Sequence, residues 1–496
     1  MNTEELRQYF AQTEQLLIQN RYEEAAALLQ QLAPHCTGHP KFLTLNANAL
    51  LQAGRLDEAE ADLRQALKAA PEDSEIYFQL GQLFKKRHNP HVAAGYFHKA
   101  YKLNPTRNTH LFYLAAREAV AETREDFLAL KAMFDGYIAQ YPQDFSGYFH
   151  RGRILGELGL HQESLADLAR SAELDPENHL TWVRKALQML LLEQYEEGWA
   201  TYERRLQMGT SSVGSPVPDL PRWPQNELGD DKTLLIYTEQ GFGDNIQFLR
   251  YAFEAQKRGM KVTVCNAQPL QRLLGYNLAR YGISSVQSGD QLSKNDYCQV
   301  SMMSLPHYFH TTVDSIPNPG AYLEAEPEYQ KKWRIKIPVS HKPKIGIAWA
   351  GSKTNARDHQ RSVGLSTIMP LFAADADFHC LQKDITPHDR VRAAKIPNLS
   401  LWDKDLADFS DTAGLLSKMD LIITIDSSVA HLAAAMGKPT WLMITYLPDF
   451  RWLLKREDSV WYDSLRLFRQ DETLSWQPVV EKVQTALAEF MAEKHG

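Results

Sequence analysis

Cysteine is scarce in this chain. There are 4 in 496 residues, at Cys36, Cys265, Cys298 and Cys380, with no CxxC pair and no Cys/His cluster. That argues against a disulfide framework and a structural zinc site, and it fits a reducing cytoplasm. A basic excess is also lacking. Net charge is -7, whereas general nucleic-acid or anionic-membrane binding needs a positive surface. No uninterrupted apolar run approaches the roughly 20 residues that span a bilayer. The first residues, MNTEELRQYFAQTEQLL, are acidic and amphipathic, without the basic and apolar regions of a secretory signal. No DxD-like pair stands at a strand end to suggest a metal, and DADF (375–378) reads as a turn between helix and strand. What remains is ordinary for soluble globular chains: 44% hydrophobic and 23% charged residues, with length for two to four domains.

The first two hundred residues repeat. Ala59, Leu63, Ala66 and Pro71 recur as Ala93, Phe97, Ala100 and Pro105, and again as Ser164, Leu168, Ser171 and Pro176. The first step is 34 residues and the second is two such steps plus three. In IYFQLGQLF, residues Tyr77, Leu80, Gly81 and Phe84 share one helical face. One helix pair cannot bury its own apolar stripe, so pairs stack, and small residues let them approach. This pattern resembles the tetratricopeptide repeat. Pairs start near 6, 40, 74, 108, 145 and 179, and the fourth carries about three extra residues. Such an arm is either a rigid spacer or dimerisation device, or a concave surface that recognises a polypeptide.

Helical periodicity stops at 207–230, where Pro216, Pro218, Pro221 and Pro224 stand among Gly and Ser; this reads as an extended linker, with Trp223 docked on the next domain. The pattern gives a repeat domain over 1–206, a first α/β half over 231–338 and a second over 339–496. In the first half TLLIY is a buried strand, EQGFGDN a Gly-rich turn, IQFLRYAFEAQKRG a helix ending at Gly259, and KVTVC the next strand. That is a βαβ unit and implies a parallel sheet. In the second half KIGIAWA, FHCLQ, DLIITID and KPTWLMI are strands, STIMPLFAAD and DTAGLLSKM helices, and PVVEKVQTALAEFMAEK a closing amphipathic helix. Two doubly wound halves place a cleft between two sets of strand C-termini.

Candidate chemistry collects at those strand ends. GFGD puts Gly241 and Gly243 in the first strand-to-helix turn, where glycine permits close approach and positive φ. Asp244 then sits at the helix start, either as a cap or as a general base. WAGSKTNARDHQRSVG comes after a strand; its Ser352, Lys353, Arg357 and Arg361 can hold a diphosphate, or form a solvated loop. Gln382 and Lys383 end another strand, as base or ribose and phosphate contacts, or as surface residues. In ITIDSSVAHLAAAMGKP, Ser427 and Ser428 lie where a helix offers free N–H groups and its positive dipole end. Phosphates bind there. Asp426 suits sugar hydroxyls, and His431 lies one turn further along. The plainer reading is a capped core helix with a buried histidine.

Together EQGFGDNIQFLRYA, GIAWAGS, DTAGLLSKMDLIITIDSSVAHLAAAMGKPTW and DFRWLLKREDSVWYDSLRLFRQ resemble tetratricopeptide-repeat glycosyltransferases. The C-terminal part is similar to the heptosyltransferases and more distantly to the O-GlcNAc transferases. The likeness runs over repeats from 6 to about 207 and a catalytic part from about 230 to 475. It implies a GT-B fold and inverting, metal-independent sugar transfer, with no cofactor beyond a nucleotide-sugar co-substrate. It implies an acceptor-side loop of Gln240, Gly241, Gly243 and Asn245, with Asp244 as base and Arg361 stabilising the leaving diphosphate. Asp426, Ser427, Ser428 and His431, together with Ser352 and Gln382, would hold the donor, and Lys383 resembles a phosphate lysine of the O-GlcNAc transferases. The sequence departs from both families: heptosyltransferases usually lack the arm, and O-GlcNAc transferases carry a different segment at IDSSVAHLA.

Three functions stand as expectations. The first is a cytoplasmic glycosyltransferase acting on a protein or peptide along the repeats, without nucleic acid or a transmembrane segment, and compatible with a homo-oligomer. The second is the same chemistry on a lipid-linked or surface glycan, for which FRWLLKR (450–456) is the one hint of a membrane-facing patch. The third is a scaffold whose sugar-binding part only binds.

Overall fold

The computed structural model describes residues 3–36, 38–208, 216–217, 220–223, 232–287, 289–353 and 358–495. The chain forms two compact units, Met1–Leu158 with Glu173–Asp175, and Gly159–Ala172 with Pro176–Gly496. Among the described residues, twelve α-helices precede the first strand. In chain order they read as six pairs, beginning at Thr3, Pro40, Ser74, Arg107, Phe145 and His179. The extra residues of the fourth pair lie in its second helix, Arg124–Gln140, which is 17 residues long against 14 in Leu56–Ala69. Ala59, Leu63 and Ala66 are fully buried, as the repeat logic requires. Gly81 shows why that position is small: a Cβ there would stand 2.6 Å from the Phe97 ring. The helices from Thr3 to Glu157 stack as a helical solenoid in the first unit, and those from His179 to Tyr202 form a further pair in the second.

The second unit holds two parallel sheets. The first contains β1 (Thr233–Tyr237), β2 (Val262–Asn266), β3 (Ser284–Gln287) and β4 (Tyr297–Ser301), in the order β3-β2-β1-β4. The second contains β5 (Lys344–Ile347), β6 (Asp377–Cys380), β7 (Leu399–Leu401), β8 (Leu421–Ile425), β9 (Thr440–Ile444) and β10 (Leu465–Arg469), in the order β10-β9-β8-β5-β6-β7. Every strand pair is parallel. This is the expected α/β architecture of GT-B type. The order reverses between β1 and β4, and between β5 and β8. Ligand crevices open at the C-terminal ends of strands at such points.

Two expected helices differ. STIMPLFAAD forms only a 3₁₀ turn, Met369–Ala373, because Pro370 lacks the donor and clashes with a preceding turn. The helix after β1 is broken into Phe242–Phe248 and Arg250–Lys257. The carbonyls of Ile246 and Gln247, which a continuous helix would need, accept instead from Tyr322 Oη (2.9 Å) and Arg250 Nε (2.9 Å). Arg250 is 1% exposed and also donates to the carbonyls of Pro317 (3.1 Å) and Trp461 (2.6 Å). It thereby fastens the broken helix to Pro317, late in the first half, and to Trp461, in the second. Gly259 comes next with φ +86, the left-handed residue that ends the helix.

Pro218 and Pro224 of the linker lie outside the described residues. Arg222 bridges Gln299 beside β4, and Trp223 is buried edge-on against Tyr308 at 5.2 Å. The closing helix, Gln477–His495, covers the second sheet with Val479, Val480, Val483 and Leu487.

Candidate functional site

Loops after β1, β5, β8 and β9 converge on a cavity of about 480 Å³. Its first wall is Gly241–Asp244, at the end of β1. Its second is Ser352, Arg361, Asp426, Ser427, Ser428 and His431, from the ends of β5 and β8. Its third is Asp449 and Arg451, from the segment after β9.

The first wall is set by packing. Gly241 is the N-cap of helix Phe242–Phe248 at φ -78, so neither turn glycine carries the positive φ; Gln240 does, at +64. Gly243 is small for a different reason. A Cβ there would stand 2.8 Å from His431 Cδ2 and 3.4 Å from Ser428 Cα. It lets the two strand-end helices touch. Asp244 is the third helical residue. Its Oδ2 accepts the Gly241 N–H at 2.9 Å, and its Oδ1 pairs with Arg451 Nη2. The cap residue is therefore Gly241 rather than Asp244, whose carboxylate bonds back to that cap from the third position and also lines the cavity. Burial raises its carboxyl above the usual carboxylate range; Arg451 opposes that shift and Asp449 adds to it.

Arg451 is 6% exposed and ties the walls together. Besides Asp244 it pairs with Asp449 Oδ1 at 2.7 Å through Nη1 and with Gln247 Oε1 through Nε. The segment expected as a membrane-facing patch is interior here, since Phe450, Trp452 and Leu453 are also buried.

The second wall presents donors. Ser427 is the N-cap of helix Ser428–Ala435, yet its Oγ makes no cap bond and is buried without a partner. The helix start thus retains a free hydroxyl beside the first N–H groups that a helix leaves without intrahelical partners. Arg361 reaches the same place. Its Nη1 donates to the Asp426 carbonyl at 3.0 Å and its Nε to Asp358 at 3.4 Å. Gly351 makes room for it, because a Cβ would stand 2.5 Å from Arg361 Nη2. Arg361 belongs to a short helix, Asp358–Arg361, within the expected loop; Arg357 lies outside the described residues.

Asp426 and His431 complete this wall. His431 Nε2 lies 4.0 Å from Asp426 Oδ1, and its Nδ1 meets Tyr462 Oη at 3.1 Å. The ring stacks on Trp452, with centroids 5.4 Å apart. Burial holds its pKa well below the usual histidine value, and Arg451 and Arg250 push the same way. The imidazole is neutral at pH 7. Burial, with Asp449 close by, pushes Asp426 up to about 6.

Five expected site residues sit elsewhere than the cavity lining, and of these Lys353 is exposed. Gln382 Oε1 accepts from the backbone of Trp349 (2.7 Å) and Ala350 (3.1 Å), so it braces the loop after β5. Lys383 Nζ donates to the Ala407 carbonyl at 2.7 Å. Asn245 is buried and accepts the Glu239 N–H at 3.1 Å. Gln240 donates to Tyr202 Oη at 2.7 Å. Phe242, Asp449 and Arg451 are the lining residues that sequence reasoning missed. The available signal for the last two was the proline-acid-aromatic run PDFRW after an apolar strand, at another strand's C-terminal end.

Residues 16–83 and 145–178 match the tetratricopeptide repeat, and residues 398–443 match glycosyltransferase family 9 (heptosyltransferase). Over 386 residues the chain is 25% identical to Protein FlbA of Caulobacter vibrioides (strain ATCC 19089 / CIP 103742 / CB 15), covering 72% of this chain and 64% of that protein. The chain thus spans just under two thirds of the length of that curated relative. Among solved structures, YrrB, described as a TPR protein with an unusual peptide-binding site, aligns with 37% of this chain and 93% of its own. Identity there is 15% and the TM-score 0.29. PilF of Pseudomonas aeruginosa aligns with 35% of this chain and 78% of its own, at 15% identity and a TM-score of 0.31. This chain is therefore similar to tetratricopeptide-repeat proteins over its helical arm and to glycosyltransferase family 9 within its second sheet.

Proposed function

We propose that the protein is an inverting, metal-independent glycosyltransferase that moves a sugar from a nucleotide-sugar to an acceptor, a protein side chain recruited by the repeats. The carrying observation is the composition of the cavity's lining. A half-buried carboxylate stands at the end of β1, and an arginine lines the same cavity with a helix start whose Ser427 hydroxyl is unpaired, at the ends of β5 and β8. Transfer with inversion needs those two things on opposite sides of the anomeric carbon.

In this reading Asp244 takes the acceptor hydroxyl proton as that oxygen attacks the anomeric carbon. The bond to the diphosphate oxygen breaks with its electron pair. Arg361, Ser427 Oγ and the N–H groups of Ser428 and Val429 receive the negative charge that develops. Fixed donors in a closed site can stabilise a leaving diphosphate in this way. Asp426 and neutral His431 suit the sugar hydroxyls. The family 9 match at 398–443 supports the reaction class, and the tetratricopeptide matches support a polypeptide partner.

The test is a thermal-shift panel with UDP-, GDP-, ADP- and dTDP-sugars, then transfer assays with the stabilising donor. Asp244→Ala is expected to keep the shift and lose transfer; Ser428→Trp is expected to lose both. Full transfer by Asp244→Ala would remove it from the base role. No shift with any nucleotide-sugar would overturn the donor reading.

A further inference from the structure

The helix that ends the repeat arm, Tyr195–Tyr202, runs on through one 3₁₀ turn, Glu203–Gln207. Three of its residues, Trp199, Tyr202 and Arg205, succeed one another at intervals of three and lie on one face. Each holds a different part of the cavity's frame.

Trp199 is 1% exposed. It meets the Phe450 ring edge-on at 5.5 Å and the Phe248 ring edge-on at 5.9 Å. Those two rings flank the Arg451 guanidinium, whose carbon lies 4.5 Å from the Phe450 centroid and 5.4 Å from that of Phe248. Phe450 immediately precedes Arg451, and Phe248 ends the helix that carries Asp244. The indole therefore closes an aromatic box around the cation that pairs with the candidate base. Tyr202 accepts from Gln240, the residue at φ +64 directly before Gly241. The Gly241 N–H in turn binds Asp244. Arg205 grips Glu239 with both prongs, at 2.7 and 3.0 Å, and adds Ser304 at 2.8 Å. Burial raises the Glu239 carboxyl, and Arg205 more than offsets it, so this pair stays charged. Glu239, Gln240 and Gly241 are consecutive, so one helix face sets the path of the chain from β1 to Asp244.

We infer that Trp199, Tyr202 and Arg205 are positioning residues of the active site, and that the last repeat is a built-in part of the catalytic unit. They touch neither donor nor acceptor. They fix where the Asp244–Arg451 pair stands. This inference rests on the proposed role of Asp244, and its test separates the two.

The informative variants are mild and are made in the full chain. Tyr202→Phe removes one hydroxyl and keeps the ring. Trp199→Leu removes the aromatic edge, and Trp199→Phe restores one; the indole N–H has no partner to lose. Small displacements of a catalytic group cost up to about 100-fold in rate, so kcat is expected to fall about 10- to 100-fold in Tyr202→Phe and Trp199→Leu. Trp199→Phe is expected to recover most of that loss. Donor Kd is expected to stay within about twofold throughout, because the removed interactions do not serve ground-state binding. Unchanged kcat in both variants, or losses confined to donor Kd, would overturn the inference. Should the wild-type protein transfer no sugar, the proposed function falls, and hydrogen exchange decides this inference. Faster exchange in Trp199→Leu at residues 240–245 and 449–453, with β8 unchanged, would support it. Unchanged exchange in both segments would overturn it.

Discussion

Asp426 is a carboxyl in a place that disfavours its charge, and removing that charge has a calculable effect. Burial and Asp449 push it up to about 6 from an ordinary 3.8. Each tenfold change in proton affinity corresponds to about 1.4 kcal/mol, so two decades set an upper bound of about 3 kcal/mol. The side chain remains 27% exposed, which lowers the expected value to about 1–3 kcal/mol. The sign comes from linkage. Between pH 4 and 6 the folded state holds a proton that the unfolded chain has lost, so stability falls as pH rises through that window. Above it the full penalty applies. Asp426→Asn removes the titration and keeps the backbone carbonyl that accepts from Arg361. At about 2 °C per kcal/mol for a unit of this size, the variant is expected to melt about 2–6 °C above wild type at pH 7.5. The difference is expected to vanish near pH 4. Melting curves of both proteins from pH 4 to 8 measure it, and parallel profiles would refute the reasoning. The same variant is expected to lose nucleotide-sugar binding, since a site that is destabilising in the empty protein persists where function needs it.

Gly243→Ala pushes a methyl against a His431 ring backed by Trp452. After the usual gain from replacing a helical glycine, it is expected to cost about 1–2 kcal/mol by denaturant titration. Gly351→Ala meets only the guanidinium end of Arg361, which can shift at the expense of its hydrogen bonds, so stability is expected to change by less than about 1 kcal/mol while diphosphate binding drops in calorimetry. Arg451→Met leaves Asp244 and Asp449 without their shared cation and is expected to cost about 3–5 kcal/mol at pH 7. Without Arg451 the Asp244 carboxyl rises further, so the deficit is expected to shrink toward pH 4, and a pH-independent deficit would contradict the ion-pair account.

The repeats were legible because their signal is local. Small-large-small spacing at 34 residues needs no knowledge of distant partners, and Ala59, Leu63 and Ala66 occupy the interior that spacing requires. The strands were legible from short apolar runs, and the ends of β1, β5 and β8 from the polar residues just beyond them. Contacts across long sequence separations were not legible. Arg451 meets Asp244 from 207 positions away, and in isolation FRWLLKR has the composition of a surface patch. Nor was the reason for Gly243, which is decided by a helix from the other sheet. Gln382 and Lys383 sit at a strand end as expected, but neighbouring main-chain groups engage their polar ends first.

The clamp around Arg250 has a mechanical consequence. A cavity lined from two sheets opens along the path that breaks the fewest buried bonds. Trp461 belongs by sequence to the second half, yet its carbonyl is held by a charged donor from the first. Hydrogen bonds to charged groups are worth about 1.5–3 kcal/mol each, so a swing that parts them is a costly one. The stretch around Trp461 and Tyr462 will therefore travel with the first sheet. Tyr462 also meets His431, so the tether reaches the cavity wall itself. Opening must then be absorbed by sliding at the edges of the cavity, and the site will breathe by small shear displacements rather than swing like a door.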